Sequence, residues 1–178
     1  TLTLSIDEAS GATLGAVAEN TGTAVTSAAG TAASLTIGGV DVGATLASDD
    51  SLSTASIDGS AIAKAAAINR ISGSTGVTAA VNAAAITGSA AVAASATTVA
   101  VSVNGVAVSV AAVVANDADG TLQDAINAVE NQTGVRATLT AANELVLTAD
   151  DGRNIDLSAE TAFNATAGIA IQSHGGTI

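Results

Sequence analysis

The sequence contains no cysteine, which excludes disulfide bonds, thiolate catalysis and the usual structural zinc sites. It also lacks tryptophan and tyrosine, and Phe163 is the single aromatic residue. There is therefore no aromatic platform on which sugars or nucleobases could stack. The single histidine, His174, cannot by itself form a histidine-based metal or catalytic site. These absences argue against an enzyme, and we expect no cofactor and no bound metal.

Positive charge is scarce as well. The 178 residues include 4 Lys and Arg residues against 16 Asp and Glu residues, which gives a formal net charge of −12 at pH 7. Four basic side chains cannot neutralise a phosphate backbone, so the composition excludes nucleic acid as a partner. We interpret the negative charge as a solvated, self-repelling surface that keeps the chain in solution.

An uncharged stretch from residue 71 to residue 116 raises the question of a membrane span. Valines at alternate positions on both sides of Asn104-Gly105 instead predict a β-hairpin with a two-residue turn, so we predict no span. These valines are Val99, Val101, Val103, Val106, Val108 and Val110. The chain begins with Thr1 and shows no signal peptide, and we interpret it as an internal piece or a processed product.

Two segments of the chain resemble each other at a separation of 58 residues. The shared residues are Ala67-Ile68-Asn69 with Thr75-Gly76-Val77, and Ala125-Ile126-Asn127 with Thr133-Gly134-Val135. A predicted hairpin precedes each segment, over residues 35–42 and 101–108, and the hairpins are 66 residues apart. The first segment therefore carries about eight extra residues between hairpin and helix, around residues 48–58.

Each repeated unit is predicted to run from hairpin to helix to hairpin. This arrangement gives an α+β fold with mostly antiparallel strands and one short helix per unit. We expect residues 34–97 to form the first unit and residues 98–178 the second, after an N-terminal strand and irregular segment over residues 1–33. The N-terminal strand, which we expect to pair with one of the units, is predicted from Leu2, Leu4 and Ile6. Residues 175–178 resemble the start of a further strand.

The boundaries of the two helices are predicted from apolar spacing and capping residues. In the second unit, Leu122, Ala125, Ile126 and Val129 lie on one apolar helical face. Thr121 and Asp124 resemble a capping box at the start of that helix, and the helix of the first unit is predicted to begin after Asp58 or Ser60.

The ends of the two helices are predicted from Gly73 and Asn131, which align with each other. Glycine and asparagine are the residues that most readily take the left-handed conformation after a helix. We expect strands to follow from Val77 and from Val135, and one more strand near Ile86.

Asn69 and Asn127 occupy equivalent positions in the two predicted helices. Because asparagine is a mediocre helix former, it needs a reason to be there. We interpret both as side chains that hydrogen-bond the backbone of the neighbouring hairpin, and the alternative is a residue that binds a partner protein.

Several acidic residues and one lysine are candidates for metal binding or catalysis. Asp117 and Asp119 lie in a stretch like part of a calcium loop, but its ligand spacing fails, and we interpret the stretch as a turn that leads into a helix. Lys64 has no Ser-x-x-Lys partner and is not predicted to be catalytic. An enzyme would need a clustered pair of acids, such as Asp150 and Asp156, in a concave pocket.

The repeated residues resemble the hook IN motif of bacterial flagellins and hook-associated proteins, including the filament cap. The motif positions are Ile68, Asn69, Gly76, Val77, Ile126, Asn127, Gly134 and Val135. In that family the motif lies in the variable middle region. The resemblance therefore implies a structural, non-enzymatic role as the outer, solvent-facing part of a flagellin subunit on the extracellular filament, which contributes to motility and to antigenic identity.

The resemblance also implies partners. The family's long terminal helices polymerise, and nothing in residues 1–178 resembles them. Other flagellin subunits are therefore expected to bind through regions absent from this chain, which by itself should be a monomer; a host receptor or an antibody is a further expected partner. The alternatives are a hook-associated or cap protein and a cell-surface adhesin or binding module.

Overall fold

The computed structural model describes residues 21–22 and 25–178. Nine strands and five α-helices lie in the described residues, together with short 3-10 helices at Ala47–Asp49, Ile57–Gly59 and Ala115–Asp117. The strands are β1 (Thr36–Ile37), β2 (Val40–Asp41), β3 (Ala84–Ala91), β4 (Val99–Val103), β5 (Val106–Val110), β6 (Arg136–Leu139), β7 (Glu144–Ala149), β8 (Ile155–Thr161) and β9 (Ser173–His174). The helices are α1 (Ala61–Asn69), α2 (Ser72–Thr75), α3 (Thr121–Asn127), α4 (Glu130–Thr133) and α5 (Phe163–Ala167).

The strands form three antiparallel sheets in the described part of the chain. β1 and β2 form a two-stranded sheet, the second sheet has the order β3-β7-β6, and the third has the order β5-β4-β8-β9. Helices and antiparallel sheets together confirm the α+β class. The division into residues 1–33, 34–97 and 98–178 stays a prediction.

Both predicted β-hairpins are present. In β4–β5, Val101 lies opposite Val108, and the turn residues Asn104 and Gly105 have φ angles of 47° and 83°. Two successive positive φ angles are what a type I′ turn requires, and Asn-Gly adopts them at low cost. The β1–β2 hairpin turns through two glycines in the same way.

The main hydrophobic core lies between the two larger sheets and the helices α3 and α5. Its fully buried large side chains include Phe163, Leu122, Ile126, Leu145, Leu147, Ile155, Leu157 and Ile169. The predicted apolar face of α3 is confirmed, because Leu122 and Ile126 are buried and Ala125 and Val129 pack against the same core. A separate, smaller cluster of Val42, Ala67 and Ile68 lies beneath α1.

The starts of the two long helices differ in how they are capped. α1 begins at Ala61, as expected, with the Ser60 hydroxyl accepting a hydrogen bond from the Ala63 N–H at 3.1 Å. The predicted capping box at Thr121 is wrong. The carboxylate of Asp117, four residues earlier, accepts from the backbone N–H groups of Leu122 and Gln123, both at 2.9 Å.

The helix ends predicted at Gly73 and Asn131 are also wrong. Both residues lie inside the short second helices α2 and α4, and neither has a positive φ. The left-handed residues are Gly76 and Gly134, one turn later. Each predicted helix is therefore a pair of helices, because the chain makes one more helical turn before it enters the following segment.

The strands after the helices follow the expectation in the second unit only. β6 begins next to Val135, but residues 77–83 form neither helix nor strand. The strand near Ile86 is present as β3, and it pairs with β7, with Ile86 opposite Leu147. Residues 175–178 do not form a strand; β9 ends at His174. The strand predicted from Leu2, Leu4 and Ile6 lies outside the described residues.

Candidate functional site

The strongest repeated feature is a hydrogen-bonded contact made by the asparagine at the end of each long helix. Asn127 donates from Nδ2 to the Ala137 carbonyl at 3.1 Å, and its Oδ1 accepts from the Ala137 N–H at 2.7 Å. Asn69 makes the same two bonds to Ala79, at 2.9 and 2.8 Å. One side-chain amide thus satisfies both backbone groups of a residue ten positions later, which is the type of contact that we expected for these asparagines.

This contact closes one edge of a sheet. Ala137 belongs to β6, the outer strand of its sheet, and lies opposite Leu147 of β7. Because both backbone groups of Ala137 bond to Asn127, they point away from β7 and toward the open edge. Asn127 therefore occupies the groups that an added strand would need at this position, which is one way to protect an edge strand from aggregation.

A Thr-Gly turn follows each asparagine and repeats with nearly the same distances. The Thr133 hydroxyl donates to the Val129 carbonyl at 3.1 Å and accepts from the Val135 N–H at 3.1 Å. The Thr75 hydroxyl makes the equivalent bonds at 3.1 and 3.2 Å. The glycines that follow, Gly76 and Gly134, have φ angles of 70° and 69°. Positive φ angles suit glycine, which has no Cβ atom to crowd the backbone.

The apolar motif residues are packed differently in the two copies. Ile126 and Val135 are completely buried in the main core. Ile68 is 9% exposed in the small cluster, and Val77 is 42% exposed. The structure thus gives both copies the same hydrogen bonds to the backbone, but it fully buries the apolar motif residues of the second copy only.

Further side chains converge on the second turn. Arg153 donates from Nη1 to the Thr133 carbonyl at 3.2 Å, and Asn104 donates to the same carbonyl at 2.8 Å. The Arg153 guanidinium lies against Gly134, where any Cβ atom would collide with it. Arg153 and Asp151 form an ion pair. Nη2 and Nε of Arg153 lie 2.6 and 2.8 Å from Oδ2 of Asp151. Burial raises the pKa of Asp151, but the hydrogen bonds and the charge of Arg153 outweigh it and hold the pKa below its usual value.

Sequence reasoning missed the side chains that lock this turn. Asn104 was assigned only to a hairpin turn, yet its side chain is buried and also accepts from the Asp156 N–H at 2.8 Å. No motif or spacing in the sequence points to Arg153. The only signal in the sequence is that Arg153 is one of four basic residues, and its partner Thr133 is 20 residues away.

The acidic candidates have structural partners. Both carboxylate oxygens of Asp117 cap α3. Asp150 lies 3.4 Å from Arg136. Neither Asp150 nor Asp156 lines the cavity of about 500 Å³ that lies beside Ile86 and His174. Within residues 21–22 and 25–178, no three or more His, Asp and Glu side chains are grouped to hold a metal ion.

The lysine also has a structural environment. Lys64 donates from Nζ to the carbonyls of Thr26 and Gly59, both at 2.6 Å. Burial lowers its pKa, and the nearby Asp58 charge only partly offsets this effect. The described part of the chain contains no helix long and apolar enough to cross a membrane.

Comparison with known proteins identifies the motif. Residues 86–151 match the flagellin hook IN motif, a range that contains Ile126, Asn127, Gly134 and Val135. The chain is similar to bacterial flagellins. It is 35% identical over 101 residues to Flagellin B from two strains of Helicobacter pylori, 26695 and J99. This similarity covers 57% of the chain, which spans about a fifth of the flagellin length, since 20% of each relative is aligned.

The matched range places the comparison on the structure. It begins in β3 and ends just after β7. It therefore contains all of β6 and β7 and all but the first two residues of β3, the third strand of this sheet. The first copy of the repeated residues, from Ala67 to Val77, lies outside it. The range that matches the hook IN motif therefore contains the second copy of the repeated residues, held by Asn127 and the Thr133-Gly134 turn.

Proposed function

We propose that this chain is part of the outer, solvent-exposed region of a flagellin-type subunit in an extracellular bacterial filament. The observation that carries the proposal is the hook IN motif match over residues 86–151, together with the similarity to Flagellin B. In this role the domain has no catalytic task. It presents a stable, acidic surface to the surrounding liquid, contributes to motility as part of the filament, and gives the filament its antigenic identity.

The charge of the chain supports an exposed role. A formal net charge of −12 from 16 acidic residues favours a hydrated surface, and it opposes close association between copies of this domain. We propose that assembly with other subunits uses parts of the subunit outside this chain, and that the chain alone is a monomer. Sedimentation at increasing protein concentration tests this point, and a concentration-dependent dimer would contradict it.

The eight motif residues have a structural role in this proposal. Asn69 and Asn127 hydrogen-bond the residues ten positions later, and Gly76 and Gly134 allow the turn. Ile126 and Val135 fill the main core, and Ile68 packs in the small cluster. The motif residues build the domain, and its surface varies around them. Recognition by antibodies or by a host receptor then involves exposed residues outside the motif.

Immunogold electron microscopy of the source cells tests the location. Antibodies raised against this chain should label the filament along its whole length. Label confined to the filament tip or to the hook junction would instead show a cap or hook-associated protein. Label elsewhere on the cell surface, with none on flagella, would overturn the proposal in favour of an adhesin or binding module.

A further inference from the structure

A buried polar contact joins two parts of the chain that are about 100 residues apart. Asn154 lies between β7 and β8 and is 2% exposed. Its Nδ2 donates to the carbonyls of Ala55 and Ser56, at 3.0 and 3.1 Å, and its backbone N–H donates to the Ser53 hydroxyl at 2.9 Å. Three hydrogen bonds from one buried residue thus reach one short segment.

The receiving segment is ordered by its own side chains. We call residues 47–60 the strap; they contain the first two 3-10 helices and end at the Ser60 cap of α1. Asp50 is buried, with 4% of its surface exposed. Its Oδ1 accepts hydrogen bonds from the N–H groups of Leu52 and Ser53 at 2.8 and 3.0 Å. The strap is therefore a defined structure that holds Ser53 in place and continues directly into α1.

The strap also bonds to the helix that follows it. Lys64, one turn into α1, donates to the Gly59 carbonyl at 2.6 Å. Arg70, after the end of α1, pairs with Asp49 at 2.7 Å. Both ends of α1 are therefore bonded to the strap.

The strap coincides with the main difference in length between the two repeated segments. The eight extra residues of the first segment fall at about residues 48–58, within the strap. The second segment reaches its helix α3 without an equivalent insertion. The extra residues therefore include those that accept hydrogen bonds from Asn154. This contact gives the insertion a structural role that the repeated motif does not explain.

We propose that Asn154 and the strap form a latch that fixes the orientation of α1 and the β1–β2 hairpin relative to the main sheets. The latch depends on hydrogen-bond donation from the Asn154 amide. Among the described residues nothing donates to its buried Oδ1, so the side chain acts through Nδ2 alone. An aspartate has nearly the same shape but no donor there, and its oxygens would face the Ala55 and Ser56 carbonyls. The isosteric change Asn154→Asp therefore tests donation separately from packing.

The absence of cysteine makes the test straightforward. Cysteines introduced at Ser74 and Gln132, exposed residues at equivalent positions of α2 and α4, carry a pair of spin labels. Pulsed electron–electron double resonance then measures the distance between the spin labels on α2 and α4. The protein is kept folded, well below its melting temperature. The matched control is Asn164→Asp, which makes the same chemical change at an exposed position of α5.

The parent and the N164D control should each give one narrow distance peak. N154D should lose that narrow peak and give a broad distribution, while hydrogen exchange at the Ala137 amide stays unchanged, because the main core is intact. A narrow, unshifted peak in N154D would overturn the latch.

A milder variant covers the case in which N154D fails to fold. Ser53→Ala removes the acceptor of the Asn154 N–H and leaves the two Nδ2 bonds in place. The latch predicts that S53A broadens the distribution in the same direction, to a smaller extent. Where N154D does not fold, a distribution in S53A as narrow as that of N164D would overturn the proposal.

Discussion

The two copies of the helix–turn motif have the same local structure and very different surroundings. Asn69 and Asn127 bind the backbone of Ala79 and Ala137 in the same way, and the glycines that follow differ in φ by one degree. The second copy packs into the main core, whereas the first rests on a small cluster beneath α1. Local hydrogen bonds thus define the motif, and tertiary contacts decide how much stability it contributes.

The surroundings differ most at the turn itself. Two side chains, from Asn104 and Arg153, bond to the Thr133 carbonyl, while no side chain in the described part of the chain bonds to the Thr75 carbonyl. The hairpin residue that corresponds to Asn104 is Gly38, which has no side chain to offer. Among the described residues, no atom lies within 4 Å of a Cβ placed at Gly76, so none of them crowds this side of the first turn. Matched substitutions in the two copies can therefore measure what tertiary packing adds.

The largest difference is expected for the two core isoleucines. Ile126→Ala removes a fully buried side chain from the main core and should lower the free energy of unfolding by about 4 kcal/mol, because the rigid surroundings cannot close the cavity. Ile68→Ala should lower it by about 2 kcal/mol, since the small cluster is close to solvent. Urea unfolding monitored by circular dichroism gives both values. Equal losses would show that the two copies share one core energetically.

The next largest difference is expected for the two glycines. Gly134→Ala forces an L-residue into positive φ and also drives its Cβ into Arg153, so we expect a loss of about 3 kcal/mol. Gly76→Ala meets only the backbone cost of about 1 kcal/mol. Thermal unfolding of the two variants compares them directly. If G76A is as damaging as G134A, then the Arg153 contact is not the source of the difference.

A smaller difference is expected for the two asparagines. Asn127→Ala leaves both backbone groups of Ala137 without their partner beside the core, and we expect a loss of about 2 kcal/mol. Asn69→Ala should cost about 1 kcal/mol, because Asn69 is exposed and water can replace it. Hydrogen exchange reports the same contacts at the Ala79 and Ala137 amides. An unchanged melting temperature in N127A would favour a partner-binding role for this residue.

The smallest effect on stability is expected when acidification protonates one carboxylate near each copy of the motif. Asp50 in the strap and Asp151 beside the second turn both have a pKa below the usual 3.8. Burial raises the pKa of Asp50, but hydrogen bonds to it, led by those from Ser53, outweigh that effect. A carboxylate with a lowered pKa stabilises the fold above the pKa of the unfolded chain, and this contribution is lost as the pH falls below about 4.

The pH effect can be assigned by removing one charge at a time. Unfolding titrations between pH 6 and pH 2 in Asp50→Asn and Asp151→Asn should each show a weaker loss of stability on acidification than the parent protein. The exposed Asp119→Asn, whose carboxylate makes only one backbone hydrogen bond, is the control. A parent-like acid dependence in both variants would show that other carboxylates control the acid response.

The parts of the fold that the sequence predicted well are those that depend on neighbours in the chain. The two hairpins, the apolar face of α3 and the asparagine contact all join residues within about ten positions. The errors at Gly73 and Asn131 are also local. The chain makes one further helical turn, in which the threonine two residues later donates from its hydroxyl to the carbonyl four residues before it. A capping rule based on glycine and asparagine does not include this interaction.

The sequence did not predict contacts between residues that are far apart in the chain. The strand near Ile86 was expected, but its pairing with β7, where Ile86 lies opposite Leu147, was not. The contact of Arg153 with Gly134 likewise joins two separate segments of the chain. Spacing rules do not register such contacts, because they compare only residues that share one helix or strand.

The sequence by itself therefore determined the α+β fold class, the hairpin turns and the repeated hydrogen-bonded motif. Each of these depends on the preferences of residues that are close together in the chain. The tertiary structure alone decided which strands pair, which copy of the motif is buried, and where the eight extra residues bond. Those outcomes follow from competition among distant segments for the same hydrogen-bonding edges and the same apolar surface. Val77 and Val135 are the same residue in the same motif, and only the chain packed around them makes one exposed and the other buried.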